Sequence, residues 1–232
     1  MQVDDVYQAI WQRKKQGDGV IAAGSRSAIA LSLITKGNNA LDIGCGEGTL
    51  AAALASRFTH VVGVDISANA VAATIQRGVE AKQVNLDSEP LPFADGAFDA
   101  VTCLDVLEHV FDPRISVREI ARVCSPGATL VITTPNMRYW RHWRSIISGR
   151  FPRTSSDEEA YDGGHLHYYT AANLRDLIAP WFDVVRVQGV IGGARQGMSV
   201  RLIKLMLPRR QGEEFSSPGI ALLACRKPTS AI

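Results

Sequence analysis

Residues 41–51 read Leu41-Asp42-Ile43-Gly44-Cys45-Gly46-Glu47-Gly48-Thr49-Leu50-Ala51: an apolar strand end, three glycines within five positions, and the start of an alanine-rich helix. Glycine lets a chain turn tightly and approach a ligand closely, because no Cβ intrudes. Alone, such a turn fits a dinucleotide site as well as any other. Asp42 narrows the choice, since a carboxylate at that point repels a pyrophosphate and suits a cationic group.

Outward from this stretch the pattern alternates. NALDIG (39–44) reads as a strand, GTLAAALASRF as a helix, HVVGVDI (60–66) as a strand, and SANAVAATIQRG as a helix capped by Ser67. EAKQVNLD and the apolar FDAVTCLDV follow. Asp112-Pro113 opens another helix and Pro126-Gly127 is expected to close it. ATLVITTP is a strand, Thr170 caps a helix to about Ala179, and FDVVRVQGV and GIALLACRK are strands. This order predicts an α/β, Rossmann-like three-layer αβα sandwich built on a largely parallel sheet. The long connection before the final strand suits an antiparallel pair at the sheet edge.

The chain of 232 residues, 46% hydrophobic, is expected to form one domain. Two helices are expected upstream of the first strand within residues 1–36, over 3–15 and 23–35. The segments 136–169 and 191–217 are too long for ordinary connections, which points to function, and they are expected to form a lid over the acceptor site.

Two further acids stand at successive strand ends. Asp65 is placed to accept from both hydroxyls of a ribose, and Asp87, in Asn85-Leu86-Asp87, to accept from an adenine amino group. Three carboxylates at neighbouring strand ends point to one crevice.

LDIGCGEGTLA, VVGVDIS, NLD and FDAVTCLDVLEHVFDP together resemble the successive motifs of class I S-adenosylmethionine-dependent methyltransferases, over roughly residues 38–190. PNMRYWRHWRSIISGRFP and the histidine-bearing loop after it further resemble the methionine-biosynthesis W-like group. The resemblance implies a seven-stranded sheet with its last strand antiparallel, and S-adenosylmethionine as cofactor. Its cofactor contacts fall on Asp42, Gly44, Gly46, Asp65, Ile66, Asp87 and the backbone near Leu104, with Ile66 and Leu86 enclosing the adenine. It also implies that His165, after two glycines, is brought toward the acceptor.

His109 follows the fourth strand, at the carboxyl edge, and its ordinary pKa suits a general base near neutrality. Glu108 beside it reads as a structural acceptor. If GGHLHYYT is extended, His165 and His167 face one side and can act as base and orienter. An HxH pair with Asp162 does not complete a metal-ligand set, so no metal is expected. Tyr139, Trp140, Trp143, Ile146 and Ile147 share one helical stripe, with Arg138, Arg141 and Arg144 mostly opposite. That stripe reads first as a cap helix packed on the core; otherwise Tyr139, Trp143, Arg144 and His167 line an acceptor pocket.

The formal charge of +2 does not suggest a general nucleic-acid binder. Leu104-Asp105-Val106 stands where enzymes acting on base amines carry an Asn/Asp-Pro-Pro-aromatic tetrad. No Pro-Cys nucleophile is present, and Cys103 reads as core. A small-molecule acceptor, anionic or lipid-like and methylated on oxygen, is therefore expected. The alternatives are an accessory protein of the same fold that binds a partner enzyme, and a nicotinamide-dependent oxidoreductase. The basic, apolar stretch 195–210 suits a membrane surface or a protein partner. Four cysteines without CxxC spacing, an acidic N-terminus and no apolar run near 20 residues fit a cytoplasmic protein.

Overall fold

A computed structural model describes residues 20–155, 161–190 and 209–228. The helix expected over 3–15 and the stretch 195–208 lie outside the described residues. Strands β1 (Gly37–Ile43), β2 (Phe58–Asp65), β3 (Glu80–Gln83), β4 (Phe98–Leu104), β5 (Cys124–Pro135), β6 (Phe182–Val190) and β7 (Gly219–Arg226) form one sheet in the order β3-β2-β1-β4-β5-β7-β6. Its first five strands pair in parallel, whereas β7 runs antiparallel to both β5 and β6. The expected edge hairpin is therefore present, with β7 as its inner strand.

Helices α1 (Arg26–Leu33), α2 (Thr49–Leu54), α3 (Ala68–Gln76), α4 (Pro113–Val123), α5 (Trp140–Ile147), α6 (Ala171–Ile178) and α7 (Arg209–Ser216) complete the described elements. Alternation along β1 divides the core. Leu41 and Ile43 face Val117 and Ile120 of α4 and Leu174 and Ile178 of α6, whereas Ala40 faces Ala30 of α1 and Leu50 and Leu54 of α2. Full burial of each Leu or Ile contributes about 1.5–3 kcal/mol against chain entropy. Asp42 shares its face with Ala40, and so ends up beneath α2.

Local signals act as their chemistry dictates. Ser25, Ser67, Asp112 and Thr170 accept backbone N–H groups of the helices they precede. One boundary differs from expectation. Pro126-Gly127 does not close α4, because Cys124 is already extended (ψ 130°) and passes straight into β5. The Pro-Gly pair lies instead where β5 falls out of register with β4, between the pairs Phe98–Cys124 and Ala100–Thr129. No helix among the described residues is long and apolar enough to cross a membrane.

Candidate active site

The strand order reverses between β1 and β4, and the glycine turn sits at the carboxyl edge of that switch point, where open α/β sheets take their ligands. Gly44 (φ +70°) leans on the loop after β4, and a Cβ there would run into Val106 Cγ2. Gly46 (φ +55°) is different, since a Cβ would meet nothing within 4 Å. One glycine is needed for packing; the other opens the notch to a ligand.

Asp42 lies at the base of this notch, 2% exposed and paired across the strands with Thr102, whose hydroxyl donates to Asp42 Oδ1 at 2.6 Å. Burial pushes its carboxyl up to about 7, with Asp65 adding to the effect while the Thr102 hydroxyl and the Ala51 amide oppose it. Asp65 binds the turn from the next strand: Oδ2 accepts from Gly46 N and Oδ1 from Ser67 N, both at 2.9 Å. A carboxylate has about four lone-pair sites, so these bonds leave capacity for hydroxyl donors. Ile66 and Leu86 are half-buried, Leu86 against the core. Asp87 is exposed and accepts Phe111 N at 2.7 Å, tying the loop after β3 to the loop after β4. Leu104 is half-buried at the tip of β4.

The residue after Leu104 was not legible as special. Asp105 adopts φ +54°, a left-handed conformation that costs a non-glycine residue about 1–2 kcal/mol. Thr133 Oγ1 donates to its Oδ1 at 3.0 Å, and Arg26 of α1 pairs with its Oδ2 at 2.6 Å. Glu108 is 1% exposed. Burial first, then Asp105, holds its carboxyl well above the ordinary range, against the Thr134 hydroxyl and Arg26. Neither carboxyl oxygen reaches hydrogen-bond geometry. The structural acceptor expected at Glu108 is its backbone carbonyl, which takes Leu166 N and His167 N at 2.8 and 3.0 Å.

Those two bonds seat the 136–169 insertion on the loop after β4 and bring two histidines together. His109 and His165 meet edge to face, ring centroids 4.7 Å apart. Glu108, His109 and His165 each bring a donor atom within 4.8 Å of the others. His109 Nδ1 lies 3.4 Å from the Gly164 carbonyl, and His165 Nδ1 lies 2.6 Å from Thr154 Oγ1. Asp162, 2% exposed, accepts the Thr154 hydroxyl at 2.7 Å and the Thr154 and Ser155 amides at 2.6 and 2.7 Å. Burial alone would raise its carboxyl, but these bonds and His165 hold it below the usual range.

His167 does not join the pair. Its Nε2 donates to the Phe111 carbonyl at 3.3 Å and its ring lies near Tyr169, so it is not the orienter of His165. The expected cap helix is also corrected. In α5 it is His142 that is buried, held by the Asn136 carbonyl, while Trp143 is 51% and Ile147 81% exposed. The later part of the apolar stripe, Trp143, Ile146 and Ile147, therefore faces outward, while Tyr139 and Trp140 are half-buried. Tyr139 precedes α5 and stacks edge-on against His142, and the Arg144 guanidinium lies 5.6 Å over Trp140. Cys103 is fully buried in β4, as expected of core.

Residues 41–132 match the family model described as a methyltransferase domain. A ubiquinone biosynthesis O-methyltransferase of Coxiella burnetii is 32% identical over 128 residues, 53% of this chain and 54% of that protein. One of Hahella chejuensis is 38% identical over 105 residues, 43% and 44% of the two chains. The chain thus spans about half the length of these curated relatives. The N-methyltransferase NodS of Bradyrhizobium japonicum, solved with S-adenosylhomocysteine, superimposes with a TM-score of 0.61 at 15% identity, covering 96% of this chain and 98% of its own.

Proposed function

We propose that this chain, whose residues 41–132 form a class I S-adenosylmethionine-dependent methyltransferase domain, transfers a methyl group to the oxygen of a small-molecule acceptor. The observation that carries this reading is a glycine turn whose Gly46 opens on free space, with Asp42 buried at its base and Asp65 bound to the Gly46 amide. These residues fit the cofactor. Asp42 would hold its ammonium group, Asp65 its ribose hydroxyls and Asp87 its adenine amino group, and Ile66, Leu86 and the backbone near Leu104 would enclose its base. When bound, the cofactor would supply a methyl group activated by its cationic sulfur.

The protein's own part is to align the acceptor, exclude water and accept a proton. Alignment lowers such a barrier by roughly 7–11 kcal/mol, and a positioned base adds about 10²–10⁴-fold. His109 and His165, side by side at the carboxyl edge, are the proton acceptors in this reading. The described part of the insertion 136–169 bounds the acceptor side in this reading, with Tyr139, Trp143, Arg144 and His167 on its approach, whereas 191–208 lie outside the described residues. The arginines suit an anionic group, and the outward apolar side of α5 suits a lipid-like body. The names of the O-methyltransferase relatives support oxygen as the acceptor atom.

The test is methyl transfer from labelled cofactor to a panel of phenols, catechols, carboxylates and amines. Turnover on hydroxyl acceptors is expected, and the His109→Ala/His165→Ala variant should lose at least about 10²-fold in kcat while binding the cofactor unchanged. Cofactor binding without transfer to any acceptor, or transfer only to amines, would rule the reading out.

A further inference from the structure

We propose that Asp162, acting through the Thr154 hydroxyl, holds His165 in the tautomer whose Nε2 takes the acceptor's hydroxyl proton. Thr154 and Asp162 are then positioning residues, and His165 is the base of the histidine pair. The inference rests on the oxygen-methylation reading above, and it assigns the base role to one of the two histidines that the sequence offers for it.

Asp162 Oδ1 accepts two backbone amides and Oδ2 accepts Thr154 Oγ1 at 2.7 Å, so the carboxylate acts only as an acceptor. A threonine hydroxyl has one proton to give. Once that proton points at Asp162, the 2.6 Å contact between Thr154 Oγ1 and His165 Nδ1 closes only if Nδ1 carries the hydrogen. In the neutral ring the lone pair is then on Nε2. When Nε2 takes the proton, the acceptor's O–H bond breaks, an N–H bond forms and the electron pair stays on oxygen. The ring becomes a cation with the Asp162 Oδ2 3.7 Å from its Nδ1, both side chains largely shielded from water. The His109 Nδ1 contact with the neutral Gly164 carbonyl is longer, 3.4 Å against the 2.6 Å between His165 Nδ1 and Thr154 Oγ1.

The arrangement is built by the backbone. Asp162 and Gly163 both take positive φ, which folds the 161–164 turn so that the Asp162 carboxylate faces back to Thr154 and Ser155. Asparagine tolerates that conformation, so Asp162→Asn keeps the turn while exchanging an acceptor for a donor at the second position. Its amide can then donate to Thr154 Oγ1, whose proton swings to His165 Nδ1 and forces the hydrogen onto Nε2.

The test reads the ring directly. In ¹⁵N-histidine-labelled protein above the titration of the ring, two-bond ¹⁵N–¹H correlations should show His165 of the wild type with a protonated Nδ1 and an unprotonated Nε2. Asp162→Asn should reverse the pattern, Thr154→Val should lose the preference, and Thr154→Ser should keep it. Turnover should follow: kcat down about 10²-fold or more in Asp162→Asn and Thr154→Val, restored to within about threefold in Thr154→Ser, with cofactor affinity unchanged in all. Wild-type His165 carrying its hydrogen on Nε2 overturns the proposal without any variant having to fold. Turnover abolished by a chelator and restored by a divalent cation also overturns it, since Nε2 would then be a ligand. Transfer to amines alone, with the Nδ1–H pattern intact, sinks the base role and the oxygen reading together while the tautomer result still stands apart from them.

Discussion

Asp42 carries a cost in the unliganded protein. Its folded-state pKa of about 7 stands above the ordinary 3.8, so between those values the native carboxyl keeps a proton that the unfolded chain has lost. Stability of the unliganded protein therefore falls as pH rises through this window, by roughly 4 kcal/mol once the native group ionises. Asp42→Asn should remove that slope: in urea unfolding it should match the wild type near pH 4 and exceed it at pH 8. The same variant should bind S-adenosylmethionine more weakly. Wild-type affinity should fall about tenfold per pH unit below 7, because a cationic ammonium selects the ionised carboxylate, and calorimetry in buffers of different ionisation enthalpy should detect the released proton. Gly44→Ala belongs at this scale too. It forces a side chain to φ +70° against Val106 and should destabilise by about 1–3 kcal/mol in thermal unfolding. Asp42 lies within β1 and Asp87 beyond the end of β3 at Gln83, whereas Asp65 was legible at the end of β2 because a strand pattern tells where a strand ends. Thr154 was not: nothing in its own neighbourhood marks it, and only the left-handed turn at Asp162 and Gly163 folds its hydroxyl onto His165, eleven positions along the chain.

The helices show what caps and faces contribute. Asp112 accepts the Arg114 and Ile115 amides at the start of α4, the helix that buries Val117 and Ile120 fully. Asp112→Ala should cost about 1 kcal/mol, measurable as a lower urea midpoint with an unchanged slope. At the other end Arg122 gathers Glu119, Asp95 and the carbonyls of Leu91 and Phe93, which clips the loop before β4 to the helix. Periodicity located α5 to within two residues but assigned its faces wrongly. A 3.6-residue stripe says that one side is apolar without saying whether anything covers it. Here the chain buries His142 through the Asn136 carbonyl and leaves Trp143, Ile146 and Ile147 toward solvent. The α4 terminus was misplaced because Pro-Gly signals a stop, and β5 begins before that stop is reached.

At the scale of the molecule, ligand and fold are linked by mass action. S-adenosylhomocysteine at 100 times its Kd should add about 2.7 kcal/mol, raising the melting temperature by roughly 5–10 °C, while a nicotinamide dinucleotide at equal concentration should leave it unmoved. The reverse result would transfer the glycine notch to a different cofactor. The alternation of the chain made the parallel half of the sheet readable from its sequence, and the hairpin of β6 and β7 as well. The 195–208 stretch, expected to suit a membrane surface or a protein partner, lies outside the described residues. The central place of β7 has a consequence for how the protein is made. It is the last described strand to leave the ribosome, yet it pairs with β5 from Thr129 to Pro135 and with β6 from Phe182 to Val190. Until it arrives, β5 presents an apolar, unpaired border and β6 has nothing to join. A nascent chain stalled after Val190 is thus open to edge-to-edge association, a window in which a chaperone would find its substrate.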